Sequence, residues 1–489
     1  MSLPDQLKNQ HLLWRAGFGP AAEQLDDLRR YKPSQVYKAL VKASSGKPDY
    51  INVADNYLQG LFMGAEQKGR LEKQAFTPEE KRMIQQKHRE GERNLNIYWM
   101  KEMVNSKAQF REKMALFWHG HFACRNVNVF YEQALLDVLR RNALGDFRVM
   151  LKEVSRSAGM LNFLNNQQNR KGHPNENFAR EVMELFTLGR GHYTENDVKE
   201  AARAFTGWAS NVQGDFVFRK NQHDEGEKTV LGQTGNLGGE DVLDILLEQK
   251  QTAVFICNKL YRYFVNPDPD TTRITQMADR FYKSGYSIQD LMNFVFTSDW
   301  FYAPDNIGVV IKSPVELIVG IQRMVPMKLA ADQPMITLQR LLGQILFTPP
   351  NVAGWPGGRA WIDSSTLMLR MRLPQLFNDE DELNVMPKSD DDRMMGKMDD
   401  GTPAVTPKPK TAFKGMRQIN ASLDWSLYHK HFEKTDRSKL LNAMAGVLLQ
   451  TGSAVSESVL RAASDESSRE AFVRTASIQL MSTPEYQLC

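Results

Sequence analysis

The chain has 489 residues, 42% hydrophobic and 25% charged, with a net charge of only +4. That is the balance of a protein that buries a sizeable core, as one large domain or two to three ordinary ones. So small a positive excess gives no support to a nucleic-acid role, which needs Lys and Arg concentrated on one surface, and no run approaches the roughly 18 apolar residues needed to cross a bilayer.

The start, Met1-Ser2-Leu3-Pro4-Asp5-Gln6, has neither the basic region nor the apolar stretch of a signal peptide. As written the chain reads as cytoplasmic; it reads as periplasmic or exported if a leader preceded this start. Cys124, Cys257 and Cys489 are widely spaced and odd in number, which argues against a disulfide scaffold and favours a reducing compartment.

Helical signals dominate along the chain. A first helical region covers about 21–43. Thr77-Pro78-Glu79-Glu80 is a capping box with Pro at the first helical position, and the helix behind it runs to about Val104, with Leu95, Tyr98, Trp99 and Met103 at helical spacing. Further helices are expected at 130–155, 239–265, 271–298 and 314–326. A looser box at Thr194-Glu195-Asn196-Asp197 opens a helix with Val198, Ala201, Ala202 and Phe205 on one stripe, ended by Gly207. The best strand is Phe216-Val217-Phe218, with Thr229-Val230-Leu231 as its expected partner. The fold class is therefore mostly α, a large irregular multi-helix domain with a small β-hairpin element. Residues 1–377 form the motif-bearing core, and 378–415, with its Asp and Glu runs and Pro-Lys repeats, reads as a flexible insertion. Residues 416–489 return to helices that pack back on the core.

Four segments carry candidate chemistry. In Phe117-Trp118-His119-Gly120-His121, residues two apart on a continuous helix point roughly 200° apart, so His119 and His121 share a metal only if Gly120 breaks the helix. The plainer alternative is two histidines packed separately at a helix end. In Asn175–Phe186, Asn177, Glu181 and Glu184 form one polar stripe with Glu176 and Arg180 beside it. Such a stripe supplies a metal ligand, a general base and a charge clamp, or is simply the solvated face of an amphipathic helix. His223-Asp224, followed by Gly226 and Lys228, is either a ligand pair on a strand-supported turn or an ordinary polar turn, with Lys228 facing an anionic substrate or water. Gly343–Trp361 packs three prolines and four glycines into its first sixteen residues, a stiff irregular path. There Trp355 and Trp361, with Arg359 nearby, either offer flat faces to a sugar or peptide or plug the core. Five of the nine histidines (His119, His121, His173, His192, His223) lie between 119 and 223.

Taken with His11–Gly19, Asp197–Trp208, Lys312-Ser313-Pro314 and the terminal Ser482–Leu488, these segments resemble the family named domain of unknown function 1800 (DUF1800) over nearly the whole chain, least at 378–415. The resemblance implies no established activity. It implies that His119, His121, Asn175, Asn177, Arg180, Glu181, Glu184, His223 and Asp224 belong to the family's motifs, and it ranks His173 and His192 lower as ligands. Many members of the family look exported and tend to be encoded beside a second, sulfatase-like family, which makes such a protein a candidate partner.

The leading expectation is a metal-dependent hydrolase acting on a carbohydrate or another cell-envelope polymer. Zinc, iron or manganese would be held by His119, His121, Glu181 and Asp224. Glu181, Glu184, Arg180 and His223 would be catalytic, and Trp355, Arg359, Trp361 and Lys228 would bind substrate. An iron oxidoreductase with the same ligands is a further possibility. The alternative from a different class is a non-catalytic binding or assembly protein, with a carbohydrate or protein partner, whose motifs are structural.

Overall fold

In a computed structural model of the chain, the residues described are 3–63, 76–126, 128–211, 213–378 and 419–489. The expected insertion at 378–415 lies, apart from Asn378, outside them.

The centre of the fold is the Gln109–His121 helix, and its sequence explains why. Phe110, Met114, Ala115, Leu116, Phe117 and Trp118 are buried, and so are Arg111, Glu112 and Lys113; of the whole helix only Gly120 is not. Its charged residues are buried with partners, so the helix is surrounded on every side. It packs against the Pro33–Ser44, Pro78–Asn105 and Val129–Arg141 helices. The long Pro78–Asn105 helix starts where its capping box requires: Thr77 Oγ1 accepts from Glu80 N–H at 3.2 Å, and Glu80 Oε2 accepts from Thr77 N–H at 2.7 Å. The Thr194 box closes the same way with Asp197, and Val198, Ala201, Ala202 and Phe205 are all buried.

Several expected helices are broken pairs, interrupted by the turn over 142–146, by Gln249 in extended conformation and by the Ser284-Gly285 turn. The region 130–155 is Val129–Arg141 and Phe147–Arg156, and 271–298 is Thr271–Lys283 and Ile288–Thr297. The region 239–265 is Gly239–Glu248 and Lys250–Phe264, and 21–43 holds two short turns before Pro33–Ser44. Pro314–Met324 is continuous.

The β structure is three antiparallel two-stranded ladders among the described residues. β1 (Trp208–Ser210) pairs with β2 (Phe216–Phe218), Trp208 opposite Phe218. β3 (Lys228–Val230) pairs with β4 (Gln233–Gly235), and β5 (Met327–Leu329) with β6 (Ala421–Leu423). Phe216-Val217-Phe218 is thus a strand, but its partner is the segment just before it. The short turn around Gly214, at φ +96°, closes a local hairpin, which costs less chain entropy than reaching Thr229.

The C-terminal residues close on the middle of the chain: Lys312 N–H donates to Gln487 O at 2.9 Å, and Cys489 N–H to Val310 O at 2.8 Å. Tyr428, Phe432, Phe472 and Tyr486 join the same apolar cluster as the Gln109–His121 helix. No helix among the described residues is long and apolar enough to cross a membrane.

Gly354, in the Gly343–Trp361 loop, has φ +80° and lies against the helix at Gly120. A Cβ there would fall 2.4 Å from Gly120 O. Gly354→Ala should therefore destabilise the protein by about 2–4 kcal/mol, measured by urea unfolding, since strain and clash act together. An unchanged midpoint would show that this loop does not pack here.

Candidate functional site

The helix passes through Gly120 unbroken. Phe122 N–H donates to Trp118 O at 2.8 Å, and Gly120 keeps helical geometry because nothing forces it out. His119 and His121 consequently leave on different sides. His119 lies among Trp99, Phe347 and Trp355, and its Nε2 accepts from Phe347 N–H at 3.1 Å. That partner assigns its proton to Nδ1. Burial pulls its pKa down to about 3, so the ring is neutral.

His121 serves a different purpose. Its Nε2 lies 3.2 Å from Phe186 O, which can only accept, and its Nδ1 lies 3.1 Å from the Lys259 ammonium. The ring therefore carries its proton on Nε2 and accepts at Nδ1. Burial first and Lys259 second push its pKa well below the ordinary value. Lys259, itself pulled by burial to about 8, also donates to Leu185 O at 3.3 Å.

These carbonyls explain the arrangement. The Asn175–Phe186 segment is not one α-helix: Asn177–Glu181 is α-helical and Val182–Thr187 is a π turn, with Leu188 N–H reaching back five residues to Met183 O at 2.8 Å. In its last turn the carbonyls have no partners farther along the helix. His121 serves Phe186 O, Lys259 serves Leu185 O, and Gln251 Nε2 serves Leu188 O at 3.1 Å. The second histidine of the pair is thus a cap for the second motif.

The polar stripe of that motif is tied up locally. Arg180 forks onto Glu195 at 2.7 and 2.9 Å and reaches Glu176 at 3.1 Å. Glu184 accepts from Tyr193 Oη–H at 2.5 Å and from Arg190, which hold its carboxyl below the usual range. Asn175 Oδ1 accepts from Asn177 N–H at 3.0 Å, and Asn177 Nδ2 donates to Leu164 O at 3.2 Å. Glu181 differs: it makes no hydrogen bond or ion pair among the described residues. Burial first, then Glu184, raise its pKa.

The third segment is equally self-contained. His223 Nδ1 donates to Thr206 O at 2.8 Å, and its ring meets Phe218 edge-on. Asp224 takes Arg203 on both oxygens at 2.8 and 3.2 Å, which holds its pKa down to about 2. Lys228 is buried, not facing substrate or solvent, with its ammonium on Gly226 O at 2.9 Å and its pKa lowered by burial. In the loop, Trp361 is buried, Trp355 is half-buried with its ring 5.4 Å from His119, and Arg359 is exposed. His173 and His192 lie at the surface or near it.

The structure therefore brings His121 to the end of the Asn175–Phe186 motif, and His119 to the proline-glycine loop, but does not gather the four expected ligands. Among the described residues, no three His, Cys, Asp or Glu side chains are grouped to hold a metal. The donor chemistry agrees. The lone pairs of His119 Nε2 and His121 Nδ1 are engaged, and both Asp224 oxygens are occupied by a guanidinium. The set His119, His121, Glu181 and Asp224 does not fit zinc, iron or manganese.

Two features escaped the sequence reading. Lys259 sits on a helix whose apolar stripe hides it. Glu92 and Glu132 are mutually repelling carboxyls, both raised first by burial, beside Arg125, with Thr348 of the loop on Glu92 at 3.2 Å. A signal for Glu132 existed, since it falls on the buried stripe between Val129 and Leu136.

Fold and contacts together define a large, mostly helical protein whose signature residues cap and brace one another. The chain belongs to the family described as "Protein of unknown function (DUF1800)", whose sequence profile matches residues 11–488. Comparison with curated proteins and with solved structures finds no match.

Glu132 carries a pH signature. Its folded pKa lies above that of the unfolded chain, so stability is full below the ordinary carboxyl value and is lost as pH rises toward the raised one. Glu132→Gln cannot ionise. It should gain on the order of 1 kcal/mol over wild type at about pH 8 and nothing at about pH 4, by urea unfolding at each pH. A difference independent of pH would show that Glu132 is not buried in its neutral form.

Proposed function

We propose that this chain is a non-catalytic binding or assembly protein in which the family motifs hold the fold together. One observation carries the reading: nearly every expected site residue is spent on a named local partner. The histidines serve backbone groups at Phe347, Phe186 and Thr206, and Arg180, Glu184 and Asp224 are closed in ion pairs. The part left for a partner is the tip of the proline-glycine loop, where Asn351, Ala353, Pro356 and Arg359 are exposed while Gly354 and Trp361 anchor it. Its partner would be a carbohydrate or a protein, such as a sulfatase-like neighbour.

A second reading, hydrolysis, draws on Glu181. This half-buried carboxyl of raised pKa has no fixed partner and stands beside the ionised Glu184, the kind of pair in which one acid holds its proton while the other does not. It lacks the convergent ligands that a metal-bound water requires.

Metal analysis of untagged protein by plasma mass spectrometry separates the readings. The expected result is zinc, iron and manganese well below one equivalent per chain after dialysis against the free metals. One equivalent of a single metal, lost in a folded His119→Gln, His121→Gln variant, would overturn the structural reading.

A further inference from the structure

A cavity of about 1100 Å3 lies away from the His119–Asp224 region, between the Pro33–Ser44 helix, the ends of the Pro78–Asn105 and Pro314–Met324 helices, and β5. Its size is just above the range of small-ligand sites, roughly 300–1,000 Å3. Leu13, Leu28, Val36, Leu40, Met327 and Leu329 supply apolar wall.

One charged side chain among the lining residues is buried. Arg323 is 7% exposed. Its Nε donates to Gly19 O at 3.2 Å, Nη1 to Val104 O at 2.8 Å, and Nη2 only at 3.5 Å to Gln24 Oε1. A guanidinium has five N–H donors, so two remain after these three contacts. Among the described residues no carboxylate comes within ion-pair distance of it, although a buried cation without a counter-ion is costly.

Beside it lines Gln109, which is 4% exposed. Its amide N–H groups are fixed on Met103 O and Ser106 O at 2.8 and 2.7 Å, and its Oε1 has no partner. The rim carries Lys101, Lys107 and Lys328 against Glu23, Asp27 and Asp332, and Lys101 is already paired with Asp332 at 2.9 Å. Charge at the rim is thus balanced, and Glu23 of that rim acts on Arg323 only from beyond ion-pair distance.

We infer that this cavity is a binding site for a long-chain carboxylic acid, whose head group pairs with Arg323 and whose tail lies along the Leu28, Val36 and Leu40 wall. The single charge of a carboxylate matches the one guanidinium, whereas a phosphate monoester, at about −2 at neutral pH, would bring in a second charge with no partner in the interior. The site shares no residue with the metal question above, so its failure leaves that reading untouched, and the reverse holds.

The test is displacement of a fluorescent fatty acid from the full chain by palmitate, palmitoyl lysophosphatidate and hexadecanol, each below its micelle concentration. Palmitate should compete most tightly, with hexadecanol at least about tenfold weaker for want of the charge-assisted bond. Ala39 is exposed and lines the cavity, with no hydrogen-bonding side chain to lose. Ala39→Trp should abolish binding with an unchanged thermal midpoint, and Arg323→Gln should bring palmitate down to the level of hexadecanol. Hexadecanol binding as tightly as palmitate, lysophosphatidate binding more tightly, no displacement at all, or binding indifferent to Ala39→Trp would each overturn the proposal.

Discussion

The fold turns on one carboxylate that water never reaches. Glu112 sits on the central helix at 0% exposure and accepts from Trp99 Nε1 at 3.0 Å, from Arg111 Nε at 3.0 Å and from Arg140 Nε at 2.9 Å. Arg140 adds a second bond through Nη2 at 3.0 Å, and passes the other side of its fork to Asp49 O. Three helices are fixed to one another by these bonds. A buried pair of this kind adds little over an apolar core of the same shape, but removing one partner strands the other charge, at about 3–5 kcal/mol. It therefore fixes orientation: the three helices cannot slide without stranding a charge in a dry interior.

The same logic runs along the N- and C-terminal motifs. Lys113, next to Glu112, pairs with Glu316 at the start of the Pro314–Met324 helix, and Glu316 also accepts from Ser313 N–H at 2.6 Å. Lys312 lies between the Trp14 and Tyr486 rings, 3.7 and 3.9 Å from their centroids, and donates to Tyr486 O at 2.5 Å. Arg370 donates to Lys312 O and to Gln487 Oε1. The start of the chain, Lys312-Ser313-Pro314 and the final residues thus meet in one buried polar cluster. Segments far apart in sequence act as a set because each supplies a partner the others need.

This changes how the histidine-carboxylate clustering is understood. The histidines expected as ligands or acids, His119, His121 and His223, each serve a backbone group, at Phe347, Phe186 and Thr206. The π turn at Val182–Thr187 leaves carbonyls open, and His121 and Lys259 close them. Neutral imidazole suits that task, since it donates at one nitrogen and accepts at the other without bringing a charge into the core. The motif residues therefore gather for the same reason that ligands would, without converging on a common point.

The helices, their caps and the apolar stripes were legible in the sequence, because those signals are local: Thr77 with Glu80 and Thr194 with Asp197 act within one turn. That residues two apart on a continuous helix point to different sides was legible too, but whether the helix continued through Gly120 was not. What the sequence could not convey was the partner of each polar group. Whether Lys259 meets water or His121, 138 residues away, and whether His119 finds a metal or the N–H of Phe347, 228 residues away, depend on elements far off in the chain. Only the tertiary structure decides these, because a buried hydrogen bond or ion pair is a property of two surfaces brought together, and a single stretch of chain holds only one of them.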